Sequence, residues 1–375
     1  MIDQIFAILA VIDAFYWEYI GFIFVVLAGI YFSFKSNFLQ FKTLFRLKSL
    51  FADLQKDAKG SDTGTSPIKL FFTSIGGMVG IGNIAVAATA VTLGGPGSVL
   101  WMWVASFAGM LIKYSDIYLG VKYRVRNENK GYDGGPMYYL QKAFNSRVPS
   151  YIVCVLFCIY GVEVLQFTIL SDEISHVMKV KKIYVVFVLL CFVFFSSVGG
   201  VKRLANLCSA VMPPFLLSYF AVGCCIFYQN FDQFLSVWPV ILDSALNGHA
   251  AVGGFAATSM LAAAQHGTSR AVYSGDIGIG YDSILQSETS VKDPAKQARI
   301  AVIALFSDTL ICTISCLIVL VTGVWTKSGL MPSRMIPEAV SMVLPHSDYF
   351  MLLLLFVAGV TTITAYFVAG MKCAK

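Results

Sequence analysis

Ser74-Ile-Gly-Gly-Met-Val-Gly-Ile-Gly-Asn83 lies inside an apolar run from Ile68 to about Leu93. A helix needs about 20 apolar residues to cross a bilayer, and this run is long enough. Yet Gly76, Gly77, Gly80 and Gly82 fall in its middle. Each weakens a helix by about 1 kcal/mol relative to alanine, so the cluster predicts a break. Backbone N–H and C=O groups freed at a break cannot face lipid; they line a cavity or bind something. A second glycine-rich stretch runs through Gly253-Gly254 and from Gly267 to Gly280. Interruptions of this kind, one in each half of an apolar chain, point to a transporter's binding site. The competing explanation is close helix packing through small residues.

Composition sets the frame. Of 375 residues, 57% are hydrophobic and 13% charged, and the mean hydropathy is +0.74. Soluble domains carry about 25% charged residues, so the chain reads as an all-α polytopic membrane protein in contact with the lipid bilayer. Its apolar runs are continuous rather than alternating, which disfavours a β-barrel. The net charge of +6 is scattered between apolar runs and forms no nucleic-acid patch. The nine cysteines lie mostly within apolar runs and show no metal-ligand spacing, so neither disulfides nor zinc are expected. No P-loop and no hydrolase signature occurs, which argues against an enzyme and against direct ATP-driven transport. No cofactor is implied. Asp3 and Asp13 stand where a cleavable signal would be basic.

Nine spans are expected, at 14–34, 69–93, 98–121, 150–171, 182–199, 204–228, 251–268, 299–324 and 348–371, within one transporter domain covering 1–375. Residues 35–68 form a polar linker, flexible over 52–67. Alternate loops carry 21 and 5 basic residues. The positive-inside rule makes the first set cytoplasmic, with the N-terminus outside and the C-terminus inside. Residues 325–347, with three prolines, are read as a partly helical external loop covering an entrance.

Polar groups within spans are costly and often functional. Asn83 closes the first glycine stretch and can meet a substrate or ion, or make an interhelical hydrogen bond. Glu163 and Gln166 are three apart and share a helix face; Glu163 can titrate, balance a cation, pair with a lysine or stay neutral. Arg270, Asp276 and Asp282 flank the second stretch. Arg270 either holds a gate by pairing with an acid or is an ordinary loop arginine. Lys113 and Asp116 read as a structural pair. Thr361, Thr362 and Thr364 offer hard oxygens to a cation, or bond back to the preceding turn.

Taken together, Gly80-Ile-Gly-Asn-Ile-Ala85, Ala88-Thr-Ala90, Leu93-Gly-Gly-Pro-Gly97, Trp101-Met-Trp103, Val121-Lys-Tyr-Arg124, Gly134-Gly-Pro-Met-Tyr-Tyr139 and Gln166 resemble the alanine or glycine:cation symporters, the sodium–alanine symporter family. So do Gly199-Gly-Val-Lys-Arg203, Gly253-Gly-Phe255, Gly267, Arg270, Ser274, Gly278, Gly280, Asp308-Thr309 and Thr361-Thr362. The resemblance runs from about residue 25 to the last. It implies an inverted-repeat, leucine-transporter-like fold preceded by one extra helix. It also implies symport of small neutral amino acids, chiefly alanine and glycine, with sodium or sometimes protons, by an integral protein of the plasma (inner) membrane. By position, Gly80, Gly82, Asn83, Gln166, Gly267 and Thr268 would meet the substrate. Gly76, Val79, Thr361 and Thr362 would hold sodium, and Glu163, Arg270 and Asp276 would gate or couple. The family pattern differs at Ile81 (threonine), Val86 (glycine), Glu163 (asparagine), Gly275-Asp276 (asparagine-glutamate) and Tyr366 (tryptophan). The family continues for two more spans beyond the position of Lys375, so the chain is expected to be C-terminally incomplete. The alternative function is a truncated, non-transporting remnant or a binding subunit that needs a partner. Oligomeric state has no signal in the sequence.

Overall fold

The computed structural model describes residues 2–58, 63–128, 131–248, 258–327, 329–330, 332–344 and 346–374. Its regular structure is almost entirely helical. The one sheet among the described residues is a short hairpin, β1 (Val125–Arg126) against β2 (Tyr132–Asp133). Helices satisfy their own backbone, which is what a low-dielectric surrounding demands.

The chain opens with α1 (Ile2–Phe15), a π-helical turn at Tyr16–Gly21 and α2 (Phe22–Lys35). Two short helices follow, α3 (Leu39–Leu44) and α4 (Leu47–Ala58), inside the stretch read as a linker. Leu47, Leu50, Phe51 and Leu54 recur at helical spacing, and burial of Leu50 and Leu54 holds α4 down. Lys296 adds an ion pair to Asp57 at 2.8 Å. Residues 59–62 of that stretch lie outside the described residues.

Pro67 opens α5 (Pro67–Met78), where a missing N–H costs nothing. A π-helical turn at Gly82–Val86 and α6 (Ala87–Gly94) complete the first broken helix, bent by 46°. Then come α7 (Ser98–Lys122), α8 (Pro136–Phe144), and the pair α9 (Val148–Tyr160) and α10 (Val164–Met178). Next are α11 (Lys182–Ser197), α12 (Gly200–Gln229) and α13 (Phe231–Asn247). Ser259 caps α14 (Met260–Gly275) by accepting from the Ala262 N–H at 3.1 Å. After a second interruption α15 (Tyr281–Gln286) resumes, followed by α16 (Pro294–Ala298), α17 (Ile300–Val321), α18 (Pro332–Val343) and α19 (Asp348–Cys373).

Helices α17 and α19 are the centre. Their most apolar windows are 78% buried, against 22% for α9–α10 and 33% for α12, which turn apolar faces outward. Around that centre α7 runs beside α14 and α15. A side chain at Gly267, Gly109 or Gly120 would overlap Ser98, Ile277 or Ser283 respectively, so these small residues set the spacing. By length and composition four helices among the described residues suffice to cross a membrane, and a fifth if α5 and α6 count as one bent span. The other expected spans fall on shorter or more polar helices, α2, α7, α11 and α14. The expected span at 251–268 begins in residues outside those described, as does Gly253-Gly254.

Two amphipathic helices were not read as spans. Val237, Ile241 and Ala245 give α13 one buried stripe, and Ser244 Oγ accepts from the Gly97 N–H at 3.0 Å. Met335, Ile336, Ala339 and Val340 do the same for α18, which packs on the π-turn Gly82–Val86 and on α17.

Candidate functional site: three interrupted helices

At the first interruption Val79 leaves the helical region, with φ −81° and ψ 79°. The Gly80 N–H therefore reaches Met78 O at 3.0 Å instead of Gly76 O. Gly76 O is released and accepts from Thr362 Oγ of α19 at 2.9 Å. The Ile81 N–H is likewise released and donates to Gln166 Oε1 of α10 at 3.2 Å. Side chains from two other helices thus complete the broken backbone. A Cβ on Gly80 would overlap Gln166 Oε1 and come within 2.7 Å of Thr362 Oγ, so this glycine keeps both within reach.

Gln166 belongs to a second interruption. The α9–α10 pair is parted at Gly161–Glu163, where Glu163 takes left-handed angles (φ 48°, ψ 44°). Gly161 allows close approach to the backbone of Tyr366 and Gly370 in α19. Glu163 is buried; its Oε2 accepts from Gln166 Nε2 at 3.0 Å and its Oε1 has no partner.

The third interruption, Asp276–Gly280, carries positive φ at Asp276, Gly278 and Gly280. Lys113, wholly buried on α7, fills it. Its Nζ donates to Gly275 O at 2.7 Å and pairs with Asp276 at 3.3 Å and Asp282 at 2.9 Å. Asp282 also accepts from Ser74 Oγ of α5, and Gln286 donates to Ser74 Oγ at 2.7 Å, so the first and third interruptions are tied together. Tyr281 stacks on Tyr366 with centroids 4.3 Å apart and occupies the space that Gly77 leaves.

Between these groups lies a polar chain. Asn83 Nδ2 donates to Asp308 Oδ1 of α17 at 2.6 Å, Ser274 Oγ donates to Asp308 Oδ2 at 2.9 Å, and Arg270 Nη2 donates to Asn83 Oδ1 at 3.4 Å. The Arg270 guanidinium faces Gly82. The arrangement offers the Gly76 carbonyl and the Thr362 hydroxyl oxygen to a cation, and the Arg270 guanidinium to an anion. Oxygen donors suit a small metal ion, and a guanidinium suits a carboxylate.

The sequence model of the sodium:alanine symporter family matches residues 2–375. This chain belongs to the sodium:alanine symporter family. Among its relatives, an uncharacterized transporter of Haemophilus influenzae is 31% identical over 333 residues, covering 86% of this chain and 72% of the relative. The sodium/alanine symporter AgcS of Methanococcus maripaludis is 29% identical over 328 residues, covering 85% and 71%. A probable sodium/glutamine symporter, GlnT of Bacillus subtilis, is 28% identical over 319 residues, covering 84% and 65%. The family match reaches the last residue, so it gives no support to the expectation that two spans are missing.

In this sodium:alanine symporter family member, Gly76, Val79, Gly80, Gly82, Asn83, Glu163, Gln166, Arg270 and Thr362 come together around the first interruption. Thr361 instead bonds back to Val357 O at 2.8 Å and meets Met212 Sδ at 3.7 Å. Gly267 faces Ser98, and the buried Thr268 hydroxyl has no partner. Asp276 pairs with Lys113, whereas Asp116 accepts from Tyr139 at 2.7 Å and makes no ion pair with Lys113. Sequence reading missed the anchoring role of Asp308. An acid inside an otherwise apolar helix was the available signal.

Proposed function

We propose that this family member moves a small neutral amino acid, alanine or glycine, together with sodium, by alternating access about the first interruption. Gly80, Gly82, Asn83 and Gln166 form the substrate wall, with Arg270 over Gly82 to receive the carboxylate. Thr268 contributes its unpaired hydroxyl from α14, and Gly267 lets α14 approach α7. Gly76 O, Val79 and Thr362, with Thr361 beside them, hold the sodium ion. The observation that carries this reading is the completion of the first break by Gln166 on one side and Thr362 on the other. Sodium binding at the break would favour one conformation, because a ligand shifts an equilibrium only by its differential affinity. Amino-acid partners named for the relatives range from alanine to glutamine. The close approach of Gln166 and Thr362 to Gly80 favours the smaller end.

The chain is proposed to sit in the plasma (inner) membrane as one domain with nine spans, its N-terminus outside and its C-terminus in the cytoplasm, and α18 on the external side. Uptake of radiolabelled alanine and glycine by proteoliposomes, with and without a sodium gradient, tests the function. Sodium-stimulated uptake is expected. Binding of both amino acids that is indifferent to sodium would overturn the coupling.

A further inference from the structure

Glu163 is the acid whose surroundings account least for a charge. It is 7% exposed, and its Oε1 is buried without a partner. None of the ion pairs among the described residues includes it. Among the described residues, the ionisable side chains near enough to feel its charge are tyrosines: Tyr160 on α9, Tyr273 on α14, Tyr281 on α15 and Tyr366 on α19. Arg270 lies 5.9 Å from the Tyr273 ring centroid; its Nη2 donates to Asn83 and Cys312, its Nε–H has no partner, and it makes no ion pair with Glu163. Glu163 stands at the N-terminus of α10, where the helix dipole favours an anion. Its carboxylate makes no capping hydrogen bond there, however, and the cost of burying an unpaired charge outweighs what the dipole returns.

The neighbouring amide decides what Glu163 binds. The Ile81 N–H fixes Oε1 as the end of Gln166 that faces the first interruption, so Nε2 must face Glu163. A metal ion seeks several oxygens, and here it would meet an N–H donor. A proton needs one lone pair, and Oε1 has it free.

We propose that Glu163 is a proton-binding site of the transport cycle. Its carboxylate takes one proton onto Oε1 from water when the site is open, forming a neutral carboxylic acid that the closed site tolerates, and returns it to water on reopening. The left-handed backbone at Glu163 holds the carboxyl beside Gln166, so its protonation state reaches Ile81 through one amide. This deepens the symport reading and uses it for one of two measurements.

The first measurement needs no substrate. Infrared difference spectra of the full chain in lipid, recorded across a pH titration, should show a protonated-carboxyl band that is lost in Glu163→Gln and shifted in Glu163→Asp. The second is sodium-driven alanine or glycine uptake in proteoliposomes. Above the midpoint of that band, wild-type uptake should fall about tenfold per pH unit, while Glu163→Gln should be flat at whatever rate it retains. An infrared titration identical in wild type and Glu163→Gln overturns the proton site even if uptake is observed. A lost band with no uptake in any variant overturns the symport reading and leaves the proton site standing. Parallel pH profiles in wild type and Glu163→Gln overturn the link to transport.

Discussion

Gln166 and Thr362 each do what the broken backbone cannot do for itself. Replacing Gln166 with alanine leaves the Ile81 N–H buried without an acceptor, at a cost of about 1–3 kcal/mol. Substrate affinity should fall roughly ten- to hundredfold, read by equilibrium binding of labelled alanine, while membrane insertion is retained. Thr362→Ala removes the donor to Gly76 O and an oxygen from the proposed sodium site. The sodium concentration for half-maximal binding should rise several-fold, and Thr362→Ser should restore it; unchanged sodium dependence in both would remove Thr362 from the site. Lys113 poses a different test. Lys113→Met leaves Asp276 and Asp282 buried without their cation, which costs about 3–5 kcal/mol. A marked loss of thermal stability in detergent is expected. Lys113→Met combined with Asp282→Asn should recover part of it, because the two residues share one interaction.

Among the elements, what the chain discloses in advance depends on how a break is made. The first interruption was legible because four glycines crowd one apolar run. The interruption at Gly161–Glu163 was not, since one glycine in an apolar helix is ordinary and no pattern marks a glutamate at positive φ. The Glu163–Gln166 face was visible from spacing alone, although the two sit on either side of a helix start rather than within one helix. Lys113 was matched with Asp116 because residues three apart on a helix are neighbours. Its actual partners lie more than 160 positions away, at a crossing that only packing creates. Helix α13 escaped because half-buried stripes with polar backs resemble loops when sought as spans. The crossing of α5 with α15 is itself testable. Gly77→Ala would drive a methyl group into the Tyr281 hydroxyl, costing about 1–3 kcal/mol. Reduced thermal stability is expected, with little recovery from Tyr281→Phe, whose ring carbons would still overlap the added methyl.

For the molecule as a whole, the proposed orientation rests on where the basic loops lie. With cysteine placed at Lys179 or at Lys202 in a background whose native cysteines are replaced, an impermeant thiol reagent applied to intact cells should label the first only. Labelling of Lys202→Cys from outside would invert the proposed topology. The same asymmetry concentrates charge at the end of the molecule where Lys372, on the last turn of α19, meets Asp133 of the hairpin at 3.0 Å and Glu288, just beyond α15, at 2.8 Å. Three separate parts of the chain are clasped by one largely shielded ammonium. Any swing of α15 that opens this end must first pull that clasp apart and wet its charges. The two faces of the protein therefore answer differently to their surroundings: electrolyte on the clasped face eases the parting, and the same electrolyte on the far face leaves it untouched.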